Sequence, residues 1–220
     1  MLDLRHNQLV GPLPSHVSGL NLVDIFLTSN FLNGTLPPWL FSLPSLVILH
    51  LYGNQFTGQI GEFNSNSLQS LDLSYNKLQG SIPRSISRLV NLTALYLSST
   101  NLSIMLGFEM FSKLKNLKIL VLSNNSVSIN NNAAYALPNL QYLYLAYSNI
   151  SEFPNFLGLT TDLQVLDLSN NRIYGRVPRW LGDVGNNSLR HVDLRNNLLQ
   201  GPFPILNSSI CNISFSPITV

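Results

Sequence analysis

Apolar residues fall along this chain in one recurring frame, L-x-x-L-x-L-x-x-N-x-L, which returns nine times. The asparagine slot is held by Asn7, Asn30, Asn54, Asn76, Thr100, Asn125, Ser148, Asn171 and Asn197, with 22 to 26 residues between successive slots. The L-x-L centre of each copy has a period of two, so one side of a short strand is buried and the other faces out. A single repeat cannot bury its own apolar face, so neighbours must stack. The pattern therefore predicts an α/β repeat solenoid of about nine curved units. Its parallel β-sheet lines the concave face, and short 3-10 or helical turns line the convex face. Each buried leucine contributes roughly 1.5–3 kcal/mol. The asparagine is expected to turn inward as the chain leaves the strand and to pair backbone groups that the turn leaves open. Leaving such a buried group unpaired costs about 1–3 kcal/mol. Thr100 and Ser148 offer only part of that bonding, because a hydroxyl has one donor where an amide has two.

A second signature follows the strand in several repeats: LVGPLP (Leu9–Pro14), LNGTLP (Leu32–Pro37), LQGSIP (Leu78–Pro83), IYGRVP (Ile173–Pro178) and LQGPFP (Leu199–Pro204). Glycine admits a tight turn, and proline then ends ladder pairing and leads into a helical turn. RSISRL (Arg84–Leu89) reads as one such short helix. In the seventh repeat EFPNFL (Glu152–Leu157) replaces the turn and is expected to give a different outer surface. Residues 1–204 are expected to form the nine-repeat solenoid without caps, and 205–220 a tail or the start of a further repeat.

The L-x-G-x-[IL]-P turn resembles the plant-specific class of extracellular leucine-rich repeats, over nearly the whole chain. Segments such as SIPRSISRLVNLTALYLSS (Ser81–Ser99), FSKLKNLKILVLS (Phe111–Ser123), NNNAAYALPNLQYLYL (Asn130–Leu145) and SNISEFPNFL (Ser148–Leu157) are similar to plant leucine-rich-repeat receptor-like proteins. These include immune receptors of the type of the tomato leaf-mould resistance proteins. The resemblance implies a cell-surface ectodomain, a membrane helix and a short tail without a kinase. It further implies signalling through adaptor and co-receptor kinases. Relative to that pattern the chain reads as an internal or truncated ectodomain piece, lacking a signal peptide, cysteine-bearing cap and membrane helix.

In a solenoid, outward strand positions of successive repeats align in columns about 4.8 Å apart. The column between the two strand leucines reads Asp3, Phe26, His50, Asp72, Tyr96, Val121, Tyr144, Asp167 and Asp193. Flanking columns add Tyr52, Tyr75, Tyr142 and Tyr147. Rigid aromatic area is what binding hot spots favour. Phe26, Tyr52, Tyr75, Tyr96, Tyr142, Tyr144 and Tyr147 are therefore the candidate ligand-binding residues. Asp3/Arg5 and Asp193/Arg195 are same-face pairs expected to be solvated. His50 lies one repeat from Asp72, where a contact would be acid-sensitive; the plainer reading is an ordinary exposed histidine. The basic run Lys113, Lys115, Lys118 reads as a solvated outer face; Arg172, Arg176 and Arg179 cluster similarly, with docking of a partner as a second reading.

Composition narrows the function further. Hydrophobic residues make up 45% and charged residues 10%, which excludes a disordered chain. A net charge of +2 gives no field for nucleic acid or an anionic membrane. No apolar run reaches the roughly 18 residues a membrane span needs. The single cysteine, Cys211, excludes an internal disulfide. No nucleophile elbow, phosphate loop or metal-spaced His/Cys cluster assembles, so neither an enzyme nor a cofactor is expected. Sequons occur at Asn33, Asn91, Asn101, Asn124, Asn149, Asn186, Asn207 and Asn212. Asparagine and serine are abundant enough for some to arise by chance. Together with the repeat class, they point to a glycosylated parent on the extracellular side of the plasma membrane.

The reading that results is a recognition ectodomain binding a protein, peptide or glycan, in pathogen perception and defence. Two alternatives accompany it. A secreted repeat inhibitor of microbial cell-wall hydrolases would carry uninterrupted L-x-G-x-I-P turns, which repeats five to seven lack. A non-functional gene fragment is the other.

Overall fold

The computed structural model of the chain describes residues 1–104, 108–131, 135–202 and 212–214. Among these, the strands Leu2–Asp3, Asp24–Phe26, Ile48–His50, Ser70–Asp72, Ala94–Tyr96, Ile119–Val121, Tyr142–Tyr144, Val165–Asp167, His191–Asp193 and Asn212–Ser214 form one parallel sheet in chain order. The last strand comes from the segment beyond the ninth repeat and pairs Ile213 with Val192. Register follows the frame without slippage: Ile25, Leu49, Leu71, Leu95, Leu120, Leu143, Leu166 and Val192 lie side by side. All eight are buried. A parallel sheet needs long crossovers between strands, and each repeat supplies one in its outer half.

The inward asparagines lock one repeat to the next. Asn54 shows the arrangement: Oδ1 accepts the Leu32 N–H at 3.1 Å, and Nδ2 donates to Leu27 O at 2.9 Å and Leu51 O at 3.0 Å. Asn30, Asn76, Asn125, Asn171 and Asn197 repeat the scheme, each reaching a carbonyl of the preceding strand. Two slots break it. Thr100 Oγ1 donates to its own strand at Leu97 O, 2.7 Å away, and also lies 3.1 Å from Asn125 Oδ1. Ser148 Oγ donates only to Ala146 O, at 3.2 Å.

Beside the main sheet runs a lateral one. Val10–Pro12, Phe31–Thr35, Gln55–Gly58 and Lys77–Leu78 form its first four strands. A bridge between Gly80 and Leu102 leads on to Ser103–Ile104 and Ser126–Val127. Between repeats seven and eight the Arg172 N–H donates to Ile150 O at 2.8 Å and the Tyr174 N–H to Ser151 O at 3.2 Å, and paired strands return with Tyr174–Gly175 and Leu198–Leu199. The turn glycines take φ values that other residues avoid, as at Gly80 (+86°), where a Cβ would also lie 3.1 Å from the Gln59 side chain.

On the outer side, proline precedes the 3-10 turns Pro38–Phe41, Arg84–Arg88, Asn155–Leu159 and Arg179–Gly182. In the third, EFP stands where other repeats have G-x-I-P, and Pro154, with φ at −67°, still leads into a 3-10 turn. Phe108–Lys113 is a further 3-10 turn. Its Phe108 stacks on Phe156 with centroids 5.0 Å apart, joining an aromatic layer with Phe111 and Tyr135. Burial pushes the Tyr135 hydroxyl up to about 12.

Candidate ligand-binding face

Strand register assembles the first outward column as the frame implies. Phe26, His50, Asp72, Tyr96, Val121, Tyr144, Asp167 and Asp193 are successive partners. Phe26, Tyr96, Tyr142 and Tyr144 are half-buried on this face. Tyr142 Oη donates to Gln164 Oε1 at 3.3 Å. Burial raises the phenols of Tyr96 and Tyr144, with Asp72 and Asp167 respectively adding to the effect. Both hydroxyls therefore stay protonated and offer a donor to anything on this face.

Carboxylates in this column have work within the fold. Asp72 Oδ1 accepts the Ser74 N–H and Asp167 Oδ1 the Ser169 N–H, each at 2.9 Å. This accounts for the recurring L-D-L-S without any ligand. Asp193 departs from the expectation of a solvated pair: it is 5% exposed, although its partner Arg195 stays largely in solvent. Burial works to raise its carboxyl, but hydrogen bonds from the Arg195 guanidinium and N–H, with its charge, hold it below the usual range. The matching pair Asp3–Arg5 is open to solvent on both sides, and the Arg5 guanidinium sits 4.7 Å over the Phe26 ring.

The acid-sensitive contact of His50 with Asp72 gives way to another. His50 Nε2 lies 2.8 Å from Ser70 Oγ, and its ring stands edge-on to Phe26 with centroids 5.4 Å apart. Burial lowers its pKa, and the opposing pull of Asp72 is the weaker of the two.

One feature of the face was not legible as such in the sequence. The residue before each inward slot has left-handed backbone: His6, Ser29, Gly53, Tyr75, Ser99, Asn124, Tyr147, Asn170 and Asn196, with φ between 53° and 67°. This conformation swings the slot side chain inward. For a non-glycine residue it costs roughly 1–2 kcal/mol, with asparagine tolerating it best. Most of these positions hold small or amide residues, but Tyr75 and Tyr147 are bulky, and they are 55% and 62% exposed. Tyr75 leans on Tyr52, with centroids 5.1 Å apart. The three tyrosines rise beside the half-buried aromatic column.

The sequons separate by environment. Asn91 Nδ2 donates to Asn66 O at 3.1 Å, and Asn124 Nδ2 to Ser99 Oγ at 3.0 Å. Asn33 is exposed on the lateral sheet, and Asn212 is exposed on the last inner strand. Asn101 and Asn149 are exposed in left-handed backbone, φ 53° and 58°, one residue past the Thr100 and Ser148 slots. Their residue type thus has a backbone reason, independent of any sugar, that the pairs Thr100–Asn101 and Ser148–Asn149 signal. Asn186 lies in the 3-10 turn Val184–Asn187, and Asn207 lies outside the described residues, as does Cys211. Lys113, Lys115, Lys118, Arg172, Arg176 and Arg179 are all exposed. Among the described residues no group of His, Cys, Asp and Glu could hold a metal, and no helix is long and apolar enough to cross a membrane.

This geometry has known counterparts. The sequence profile described as leucine rich repeat matches residues 61–102 and 105–150, and one for two such repeats matches 138–178. Receptor-like protein 39 of Arabidopsis thaliana is 33% identical over 262 residues, covering 96% of this chain and 30% of that protein. The plant peptide hormone receptor RGFR1, solved in complex with RGF2, superposes with a TM-score of 0.83 at 28% identity, over 98% of this chain and 36% of that one. The Arabidopsis receptor kinase HAESA, solved with the peptide hormone IDA and the co-receptor SERK1, gives 0.70 at 25% identity, over 98% and 41%. The chain therefore spans well under half the length of these relatives. It belongs to the leucine-rich repeat family, and its repeats are those of the plant receptor-like proteins.

Proposed function

We propose that the inner sheet face is the ligand surface of a plant receptor-like protein on the extracellular side of the plasma membrane, and that its ligand is an extended peptide or protein segment. The carrying observation is the pair Tyr75 and Tyr147. Both rings stand exposed on backbone that costs energy to hold, where asparagine or glycine serves in sibling repeats. Tyr147 does not recover that cost through burial and Tyr75 offsets it only against Tyr52, so a gain in recognition is the reason to keep Tyr147. Tyr96 and Tyr144, two repeats apart across Val121, supply the rigid floor. Peptide complexes of RGFR1 and HAESA support the ligand class, and the co-receptor in the HAESA complex supports signalling through partner kinases. Pathogen perception and defence is the physiology this reading favours.

Selection of a displayed peptide library on the purified chain tests the site. Peptides recovered on the native chain should lose at least about 1 kcal/mol of affinity on Tyr96→Ala or Tyr144→Ala. Equal affinity for both variants would remove the face from recognition. For the physiology, leaves carrying the full receptor should give an oxidative burst to microbial filtrates that the Tyr147→Asn receptor does not give.

A further inference from the structure

Repeats six and seven are joined unlike the others. The paired strands of the lateral sheet end at Ser126–Val127 and return at Tyr174–Gly175. Val127 N–H still donates to Ser148 O at 3.2 Å. Farther out, Asn131 Nδ2 donates to Glu152 Oε2 at 3.0 Å and Phe153 O at 3.1 Å. Between these two closures the chains part, and no hydrogen bond joins Ser128 or Ile129 to residues 149–151. What opens is a slot of about 460 Å³. The same junction has lost its cross-repeat amide, since Ser148 stands in the asparagine slot. The Thr100 junction, by contrast, keeps its lateral bridge from Gly80 to Leu102.

The lining says what fits. It is lined by the exposed serines Ser126, Ser128 and Ser151, by the half-buried Ile129, and by Val127 and Ile150, whose side chains belong to the core. Asn149 lines it too, exposed, at the head of the sequon Asn149-Ile150-Ser151. The amides of Asn91 and Asn124 are engaged with neighbours, whereas the Asn149 amide makes no hydrogen bond to the described residues.

We propose that this slot seats the first sugars of an N-linked glycan carried on Asn149. N-acetylglucosamine has ring hydroxyls that pair with serine hydroxyls and an acetamide methyl that packs on the half-buried Ile129. Attachment at Asn149 holds the sugar at the site, so no affinity from solution is needed. The glycan then bridges repeats six and seven where both the lateral sheet and the asparagine ladder are broken. A polar slot with partners for water is wet when empty, so filling it with sugar exchanges hydrogen bonds rather than losing them.

The proposal rests on the extracellular reading above, and its test separates the two. The full chain, secreted from plant cells behind a leader, is analysed for occupancy at each sequon by glycopeptide mass spectrometry. Release by peptide N-glycosidase is then timed on native and on denatured protein. The Asn149 glycan should leave the native protein about tenfold more slowly than the denatured one, because the enzyme acts only on the open state. Ser128→Tyr, at an exposed position, fills the slot and should bring the native rate up to the denatured rate. Asn149 bare while Asn33 is occupied overturns the slot alone, as do equal native and denatured rates in the wild type. Protection that survives Ser128→Tyr overturns it as well. A chain bare at every sequon overturns both the slot and the extracellular reading.

Discussion

Asn125 Oδ1 accepts the backbone N–H of Leu102 at 2.9 Å, across the boundary between the fifth and sixth repeats. Its Nδ2 reaches back to Leu97 O at 2.6 Å and to its own strand at Leu122 O, 3.0 Å away. One buried amide thus pairs three backbone groups from two repeats. Asn125→Ala leaves the Leu102 N–H and Leu122 O without that partner, while Leu97 O keeps the Thr100 hydroxyl; it should cost about 3 kcal/mol, from about 1–3 kcal/mol per stranded group with partial relaxation. Ser148→Ala removes one hydroxyl bond to Ala146 O and should cost about 1 kcal/mol. Urea unfolding followed by circular dichroism measures both. Equal midpoints for the two variants would contradict the ladder account.

Tyr147 makes the opposite prediction. Tyr147→Asn keeps the left-handed turn with a residue that tolerates it and should stabilise the fold by about 1 kcal/mol. Tyr75→Asn relieves the same backbone but loses the ring of Tyr52, a contact worth about 0.5–1.5 kcal/mol, so its net change should be near zero. Both variants should bind selected peptides less well than the native chain. A Tyr147→Asn chain no more stable than the wild type would mean the turn carries no strain, and the case for recognition at Tyr147 would lose its basis.

How much of this was legible follows from the period of the pattern. A buried L-x-L every 22 to 26 residues fixes strand, face and register together, because slipping one residue would turn every leucine outward. The outward columns came correctly from that frame alone. Backbone conformation at Tyr75 and Tyr147 was hidden, since no apolar period reports φ. It is visible only when the serines, asparagines and glycine of sibling repeats are aligned at the same position. His50 was misjudged because a column gives neighbours in register and not rotamers: its ring turns to Ser70 and Phe26 instead of Asp72. Asp193 differs from its expected solvated state because residues 212–214 add a strand beside it, pairing Asp193 with Ser214.

His50 gives the fold a pH dependence whose sign can be worked out. An unfolded histidine titrates near about 6.5. Burial holds the folded value lower, with Arg5 lowering it further and Asp72 opposing. Below about pH 6.5 the unfolded chain therefore binds more protons than the folded one, and stability falls with falling pH. His50→Gln retains a partner for Ser70 and removes the titration. Thermal midpoints should fall further for the wild type than for His50→Gln between about pH 7.5 and 5.5. Equal falls would place the acid sensitivity elsewhere.

Asp3–Arg5 and Asp193–Arg195 have the same spacing and the same closest approach of 2.6 Å, yet different burial should make them behave differently. In the wild type the Asp193 carboxyl is held below its unfolded value by Arg195, so the pair stabilises the fold above about pH 4 and loses that contribution as pH falls through the folded pKa. Arg195→Ala removes the guanidinium but keeps the residue-195 N–H on Asp193 Oδ1, so burial is opposed less and the carboxyl rises relative to the wild type. Ionisation of Asp193 therefore contributes less stability in the variant than in the wild type above about pH 4. The variant's thermal midpoint should therefore trail the wild type clearly at neutral pH, and the gap should narrow in acid as Asp193 protonates. Arg5→Ala should show little pH dependence, because solvent screens Asp3 in either state. A gap for Arg195→Ala that stays constant between neutral pH and about pH 3.5 would show that Asp193 does not depend on its arginine.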